Sequence, residues 1–194
     1  LAEAAKEVIG IDISKETIAY AKEHYRGDNI QFKAIDIHRL EFPDKYFDVV
    51  CSFETLEHLE DPLRFISEVK RVLKEDGVFV VSTPNVKKIT LNSKNPYHKI
   101  EFSQEDFKGL LEKNFAKVEI LYQRRLQSTF HYYLQKIDIF HLRALLPNFV
   151  RRKICHIAKT QAWDEVDIGD FVISKERLRR RLTELVGVCR NPKQ

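Results

Sequence analysis

The sequence predicts an α/β domain built on a doubly wound, mostly parallel sheet, and two observations predict it. Short apolar strands alternate with helices through residues 1–122, and three strand ends carry polar or acidic residues: Asp12, Asp36, and the pair Phe53 and Glu54. Alternation of this kind demands parallel pairing with right-handed crossovers. Ligands in such a sheet sit beyond the carboxyl ends of the strands.

Residues 1–7 are Ala-rich and helical in preference, and residues 8–11 (VIGI) form a β-branched apolar run that stops at Asp12. Ser14 is placed to cap a helix that keeps Ile18, Ala19, Ala21 and Tyr25 at rough helical spacing until Gly27. The second strand covers residues 30–35 and ends at Asp36. The third covers residues 47–53 (FDVVCSF), whose lack of alternation implies burial on both faces. Asp61 and Pro62 are a cap and first-turn pair, followed by Leu63, Ile66, Val69, Val72 and Leu73 at helical spacing, with Gly77 closing the helix. A fourth strand follows at residues 78–82, and Thr83, Pro84 and Asn85 read as the turn that stops it. Ser103 with Asp106 resembles a capping box for a helix to about residue 112, and residues 116–122 form a further strand. An Arg-rich helix at residues 175–184 precedes a last strand at residues 185–189 (LVGVC).

With 194 residues, 43% of them hydrophobic, the chain suits one domain with a sizeable core. Its 33 basic and 29 acidic residues give a mixed surface, which argues against nucleic acid as partner. Cys51, Cys155 and Cys189 form no CxxC pair, so neither a disulfide framework nor a zinc knuckle is expected and the cytoplasm is the natural compartment. No apolar run approaches the roughly 18 residues of a bilayer span. The absence of Met leads to the expectation that a further segment precedes Leu1. Residues 124–170 are aromatic and basic at helical spacing, an insertion within the single 1–194 domain. It reads as a helical pair packed on the sheet edge, with a lid, a homodimer contact or a patch for an anionic substrate as alternatives, and Trp163 as a loop anchor.

The segments VIGIDIS, FKAIDIHRLEFPDKYFDVVCSFETLEHLEDP, LKEDG and FVVSTPN occur in an order that resembles class I S-adenosylmethionine-dependent methyltransferases after their cofactor loop. The resemblance covers residues 1–122, with residues 185–192 as the final strand, and implies a Rossmann-like sheet with S-adenosylmethionine as cofactor. By that resemblance Asp12 binds the ribose, Ile13 packs on the adenine, Asp36 accepts the adenine amino group and Ile37 offers its backbone N–H. Phe53 and Glu54 would line the pocket beside the methionine moiety. The family's first strand and its DxGxGxG turn have no counterpart, since the first glycine is Gly10 inside a strand. An upstream segment is expected to supply that central strand, and without it neither stable folding nor tight cofactor binding is expected. The residues themselves leave two alternatives: an NAD-dependent oxidoreductase, which shares an acidic residue after the second strand, and a degenerate Rossmann-like module that binds a partner without activity.

Glu54, Glu57 and His58 (ETLEH), with His98 in NPYHKIEF, form the densest polar cluster. The spacing resembles the ExxEH of ubiquinone-pathway O-methyltransferases and small-RNA 2′-O-methyltransferases, in which later histidines can hold a divalent ion. That resemblance makes Glu54, Glu57, His58 and His98 the metal candidates, with a metal-free site the expectation. Imidazoles exchange protons near neutrality, so His58, beside Glu57, is the candidate general base. The plain alternative is that Glu57 and His58 open the next helix. NPYHKIEFSQEDF resembles a segment of bacterial glycan-pathway methyltransferases. In-line methyl transfer depends chiefly on proximity, so few catalytic side chains are needed. The expected reaction is transfer to a hydroxyl of a small molecule or glycan.

Overall fold

The computed structural model describes residues 2–91, 95–125, 171–175 and 184–191. They belong to two units, residues 1–120 with 185–194, and residues 121–184. In chain order the elements are β1 (Val8–Asp12), α1 (Lys15–His24), β2 (Ile30–Ala34), β3 (Phe47–Ser52), a 3-10 turn (Leu56–His58), α2 (Pro62–Val72), β4 (Leu73–Val86), β5 (Phe102–Ser103), α3 (Gln104–Glu112), β6 (Lys117–Arg125), β7 (Phe171–Ser174) and β8 (Glu184–Arg190). The expected strand and helix alternation is present from β1 to β6 except that, among the described residues, no helix separates β2 from β3 or β4 from β5.

Two sheets result. β1 and β2 pair in parallel from Val8↔Ile30 to Asp12↔Ala34. The larger sheet runs β3-β4-β8-β6-β7, with β5 on the end of β4. β3 and β4 are parallel, from Val49↔Val78 to Ser52↔Val81. Parallel neighbours need a crossover, and α1 and α2 supply them. Each crossover helix starts on a side-chain cap: Ser14 Oγ accepts from Thr17 N at 3.0 Å, and Asp61 Oδ1 from Arg64 N at 3.0 Å. Ser103 Oγ does the same for Asp106 N at the start of α3. In the second unit, β6 and β7 pair antiparallel from Tyr122↔Ser174 to Arg125↔Phe171.

α2 buries Phe65, Ile66, Val69 and Val72. Leu63, expected on that face, is 56% exposed, because the buried stripe turns through Phe65. The helix also stops at Val72 rather than at Gly77. Leu73 already pairs with Phe47, and the register shift before Val49↔Val78 absorbs the LKEDG segment as an irregularity in β4. α1 likewise ends at His24, short of Gly27, with Tyr25 N donating to Ala21 O. The predicted turn at Thr83, Pro84 and Asn85 is strand. The ladder to β3 ends at Val81, so the missing N–H of Pro84 costs that ladder nothing.

Phe79, Val81, Phe107, Leu111 and Leu185 are fully buried. A second cluster joins Ile35, Leu40 and Val72 with Ile11, Phe42, Phe47 and Val50. Arg71 ties the connection from β2 to β3 onto α2, donating to Leu40 O at 2.6 Å, Phe42 O at 2.8 Å and Asp44 Oδ1 at 2.8 Å. Burial of β3 on both faces, expected from its composition, is not found, since Val49 is 51% exposed and Cys51 is exposed as well. Among the described residues β3 has a neighbour on one edge only, which leaves these side chains uncovered. The insertion's core, residues 126–170, including Trp163, and the helix expected at 175–184 fall outside the described residues, apart from their first and last positions.

Candidate functional site

Asp12 and Asp36 end neighbouring parallel strands. The ladder continues past β2 as Ile35 N donates to Asp12 O at 3.0 Å, so Asp36 follows directly on the last paired residue. Both carboxylates are oriented by backbone. Asp12 Oδ1 accepts from Ser14 N at 2.7 Å, and Asp36 Oδ1 from His38 N at 2.9 Å. That amide, ahead of the other causes, holds the Asp36 carboxyl below the usual range. Among the described contacts the second oxygen of each is unused, which leaves two carboxylate acceptors at the ends of adjacent strands. Ile13, the residue after β1, is 73% exposed, an apolar side chain without a protein partner to explain it. Ile37 is half-buried beside Asp36.

At the corresponding end of β3, Phe53 is 55% exposed and Glu54 takes a positive φ of 49°. A non-glycine residue in that region is strained by about 1–2 kcal/mol, and Ser82, next in β4 after the last residue paired with β3, holds it there. Glu54 N donates to Ser82 Oγ at 3.2 Å, and the hydroxyl donates on to Glu54 Oε1 at 2.7 Å. The bend throws the chain into the 3-10 turn that carries Glu57 and His58. These two therefore precede α2 instead of opening it.

Glu57 is buried at 1% exposure, with Thr83 Oγ1 donating to its Oε2 at 3.2 Å. Burial raises its pKa above the carboxylate range, Glu54 adding to the effect. Its backbone carbonyl accepts from Lys99 N at 2.8 Å and Ile100 N at 3.2 Å, which fastens the segment containing His98 onto the turn. His58 Nδ1 lies 2.9 Å from Tyr97 O, and His98 Nδ1 lies 2.9 Å from Glu101 Oε1. A carbonyl can only accept, and a carboxylate is an acceptor when ionised, so each Nδ1 is the donor and Nε2 is the nitrogen left for other partners. The rings meet edge to face with centroids 4.9 Å apart, and His58 Nε2 is 3.9 Å from Glu57 Oε1.

Glu57, His58 and His98 each offer a ligand atom within 4.8 Å of the others. Two ligands on one ion at about 2.1 Å are at most about 4.2 Å apart, so the donor chemistry fits a divalent cation while the spacing must close slightly. The predicted fourth ligand, Glu54, is not in this group.

Against known proteins, residues 1–81 match the family model described as a methyltransferase domain. A probable S-adenosylmethionine-dependent methyltransferase of Mycolicibacterium smegmatis is 32% identical over 176 residues, which cover 88% of this chain and 63% of that protein. The chain is thus similar to S-adenosylmethionine-dependent methyltransferases. It spans less than two thirds of the length of the curated relatives it matches first. The ubiquinone biosynthesis O-methyltransferase of Haemophilus ducreyi is 37% identical over 92 residues, 44% of this chain and 39% of that protein. Among solved structures, YcgJ of Bacillus subtilis shares the fold with a TM-score of 0.58 at 17% identity, covering 99% of this chain and 86% of its own. The [4+2]-cyclase SpnF does so with 0.58 at 21%, covering 98% and 69%. Likeness at that level concerns the fold alone, and fold does not dictate chemistry.

The structure thus brings together His58, Glu57 and His98, and separately places Asp12 and Asp36 at adjacent strand ends. Sequence reasoning missed Ser82, Tyr97 and Glu101, and placed Thr83 in a turn rather than against Glu57. Only Glu101 left a signal, three residues beyond His98 in HKIEF; the others act through a strand-to-strand contact or a backbone carbonyl, which no spacing announces.

Proposed function

We propose that this chain carries S-adenosylmethionine-dependent methyl transfer to a hydroxyl oxygen of a small molecule or sugar. The observation that carries the reading is the pair of backbone-oriented carboxylates, Asp12 and Asp36, on adjacent parallel strand ends. Asp12 would accept from the ribose hydroxyls and Asp36 from the adenine amino group, with Ile13 against the base, Ile37 N–H toward it, and Phe53 and Glu54 beside the methionine portion. The cofactor, when bound, supplies an electrophilic methyl on a sulfonium. On the acceptor side His58 Nε2 would take the hydroxyl proton, and Tyr97 O and the Glu57 carboxylate would steady the imidazolium that forms. Hydroxyl oxygen as acceptor is supported by that ring geometry and by the likeness to a relative named as an O-methyltransferase. Titration calorimetry of the full-length protein with S-adenosylhomocysteine tests the cofactor half: micromolar binding is expected, and no binding refutes it.

A second reading of the acceptor side has a specific observation behind it. Both imidazoles have Nδ1–H fixed by an outer acceptor, the arrangement that orients histidine ligands toward a metal. A divalent ion held by Glu57, His58 and His98 would lower the acceptor's pKa in place of a base. Stabilisation of the protein by Mn²⁺ or Zn²⁺ that disappears in His98→Ala would favour this reading over His58 as base.

A further inference from the structure

We propose that the exposed apolar and basic residues at positions 87–91 and 95–99 dock the protein on an anionic lipid bilayer, next to His58. Leu91 and Tyr97, at 74% and 75% exposure, are the two most exposed large hydrophobic residues of the described chain, and Ile89 is 47% exposed. Thr90 pairs with Glu101 through two backbone bonds, Thr90 N to Glu101 O at 3.0 Å and Glu101 N to Thr90 O at 2.9 Å. This bridge anchors the stretch, and Ile89 and Leu91 flank it on either side of Thr90. Lys87, Lys88 and Lys99 are exposed along the same stretch. The nearby acidic side chains are engaged: Glu101 binds His98 at 2.9 Å and Glu60 binds Lys99 at 3.2 Å. With Lys99 paired to Glu60, what remains outward is aliphatic, aromatic and the cations Lys87 and Lys88, the combination that settles at a lipid interface, with tyrosine at headgroup depth and lysines against anionic phosphates.

The charge balance selects the occupant. An apolar patch for a protein partner would not call for flanking lysines, whereas an anionic bilayer attracts each lysine near its surface. The segment is also bonded to the acceptor side of the site. Tyr97 O holds His58, and Lys99 N and Ile100 N hold the Glu57 carbonyl, so a docked segment brings His58 to the bilayer surface. The consequence that the acceptor is an amphiphile, its hydroxyl presented from the membrane, rests on the methyl-transfer reading; the docking itself does not.

Flotation of the full-length protein with vesicles of phosphatidylcholine alone, or mixed with phosphatidylglycerol, tests it. Wild type floats with the mixed vesicles and is released by salt. Lys87→Gln with Lys88→Gln weakens partitioning about thirtyfold, from roughly fivefold for each lysine. Leu91→Ser with Tyr97→Ser weakens it at least tenfold, and keeps the Tyr97 carbonyl. The control Lys70→Gln with Lys113→Gln, equal in charge change, leaves it near wild type. Equal flotation with both vesicle types, no flotation, or an equal loss in the control overturns the proposal. Calorimetry with S-adenosylhomocysteine on the same variants keeps the two readings apart, since docking can fail while cofactor binding stands, and the reverse.

Discussion

The Asp12 carboxylate has a structural duty and, in the proposed reading, a ligand-binding one, and a single substitution can separate the two. Its Oδ1 accepts from Ser14 N at 2.7 Å and so sets the residue that caps α1, while its other oxygen is left for a ligand. Asp12→Asn can keep an oxygen on Ser14 N and turn an amide outward, removing only the charge. A hydrogen bond to a charged group contributes about 1.5–3 kcal/mol against about 0.5–1.5 kcal/mol for a neutral pair. Over a ribose diol the difference comes to about 2 kcal/mol, or roughly thirtyfold in affinity for S-adenosylhomocysteine. The fold should barely notice. Asp12→Ala also strips Ser14 N of its partner, and the loosened cap costs roughly 1 kcal/mol of stability besides. Calorimetry and thermal melts on the full-length variants read the two quantities separately. Wild-type affinity in Asp12→Asn would refute the ligand role, and equal melting temperatures for the Asn and Ala variants would refute the structural one.

Three further outcomes follow from the packing and the cluster. Burial raises the pKa of Glu57 in the fold, so the stability linked to its proton is present below the ordinary carboxylate range and is lost as pH rises through the raised value. Glu57→Gln should therefore melt higher than wild type at pH 7–8, the gap closing toward pH 4–5, and parallel pH profiles would contradict this. A Cβ at Gly187 would stand 2.5 Å from Leu111 Cδ1 and 3.3 Å from the Phe107 ring, so Gly187→Ala should cost about 1–3 kcal/mol, a Tm drop of roughly 3–10 °C, and Leu111→Ala in the same chain should recover part of it. His58→Ala should lower kcat on the true acceptor by roughly 10²–10⁴ while affinity for S-adenosylhomocysteine stays as in wild type, measured by turnover and calorimetry; an unchanged kcat removes His58 from the chemistry.

The places where sequence and structure part follow one physical division. Apolar runs bounded by caps located β1, β2, β8 and α3 to within a residue or so, because burial and capping are written locally in residue type and spacing. Gly77 misled because a glycine beside an acidic residue normally turns the chain, whereas here the register of β4 on β3 overrides it, Lys74 reaching Asp48 at 2.7 Å across the irregularity. The exposure of Val49 and Cys51 was illegible for a related reason: a strand's composition records the neighbours it is built to have, and says nothing of which edge is covered. The same division runs through the site. Carboxylates at strand tips and the ETLEH spacing are local and could be read. The tautomers of His58 and His98 are not, since they are set by an oxygen 39 residues away in one case and by the fold of residues 98–101 in the other. Yet those tautomers decide the chemistry, because a ring with its proton fixed on Nδ1 presents Nε2 either to a hydroxyl or to a cation, and only the partners of Nδ1 determine which nitrogen is left. The nitrogens this cluster presents are therefore specified by Tyr97 and Glu101 as much as by the histidines themselves.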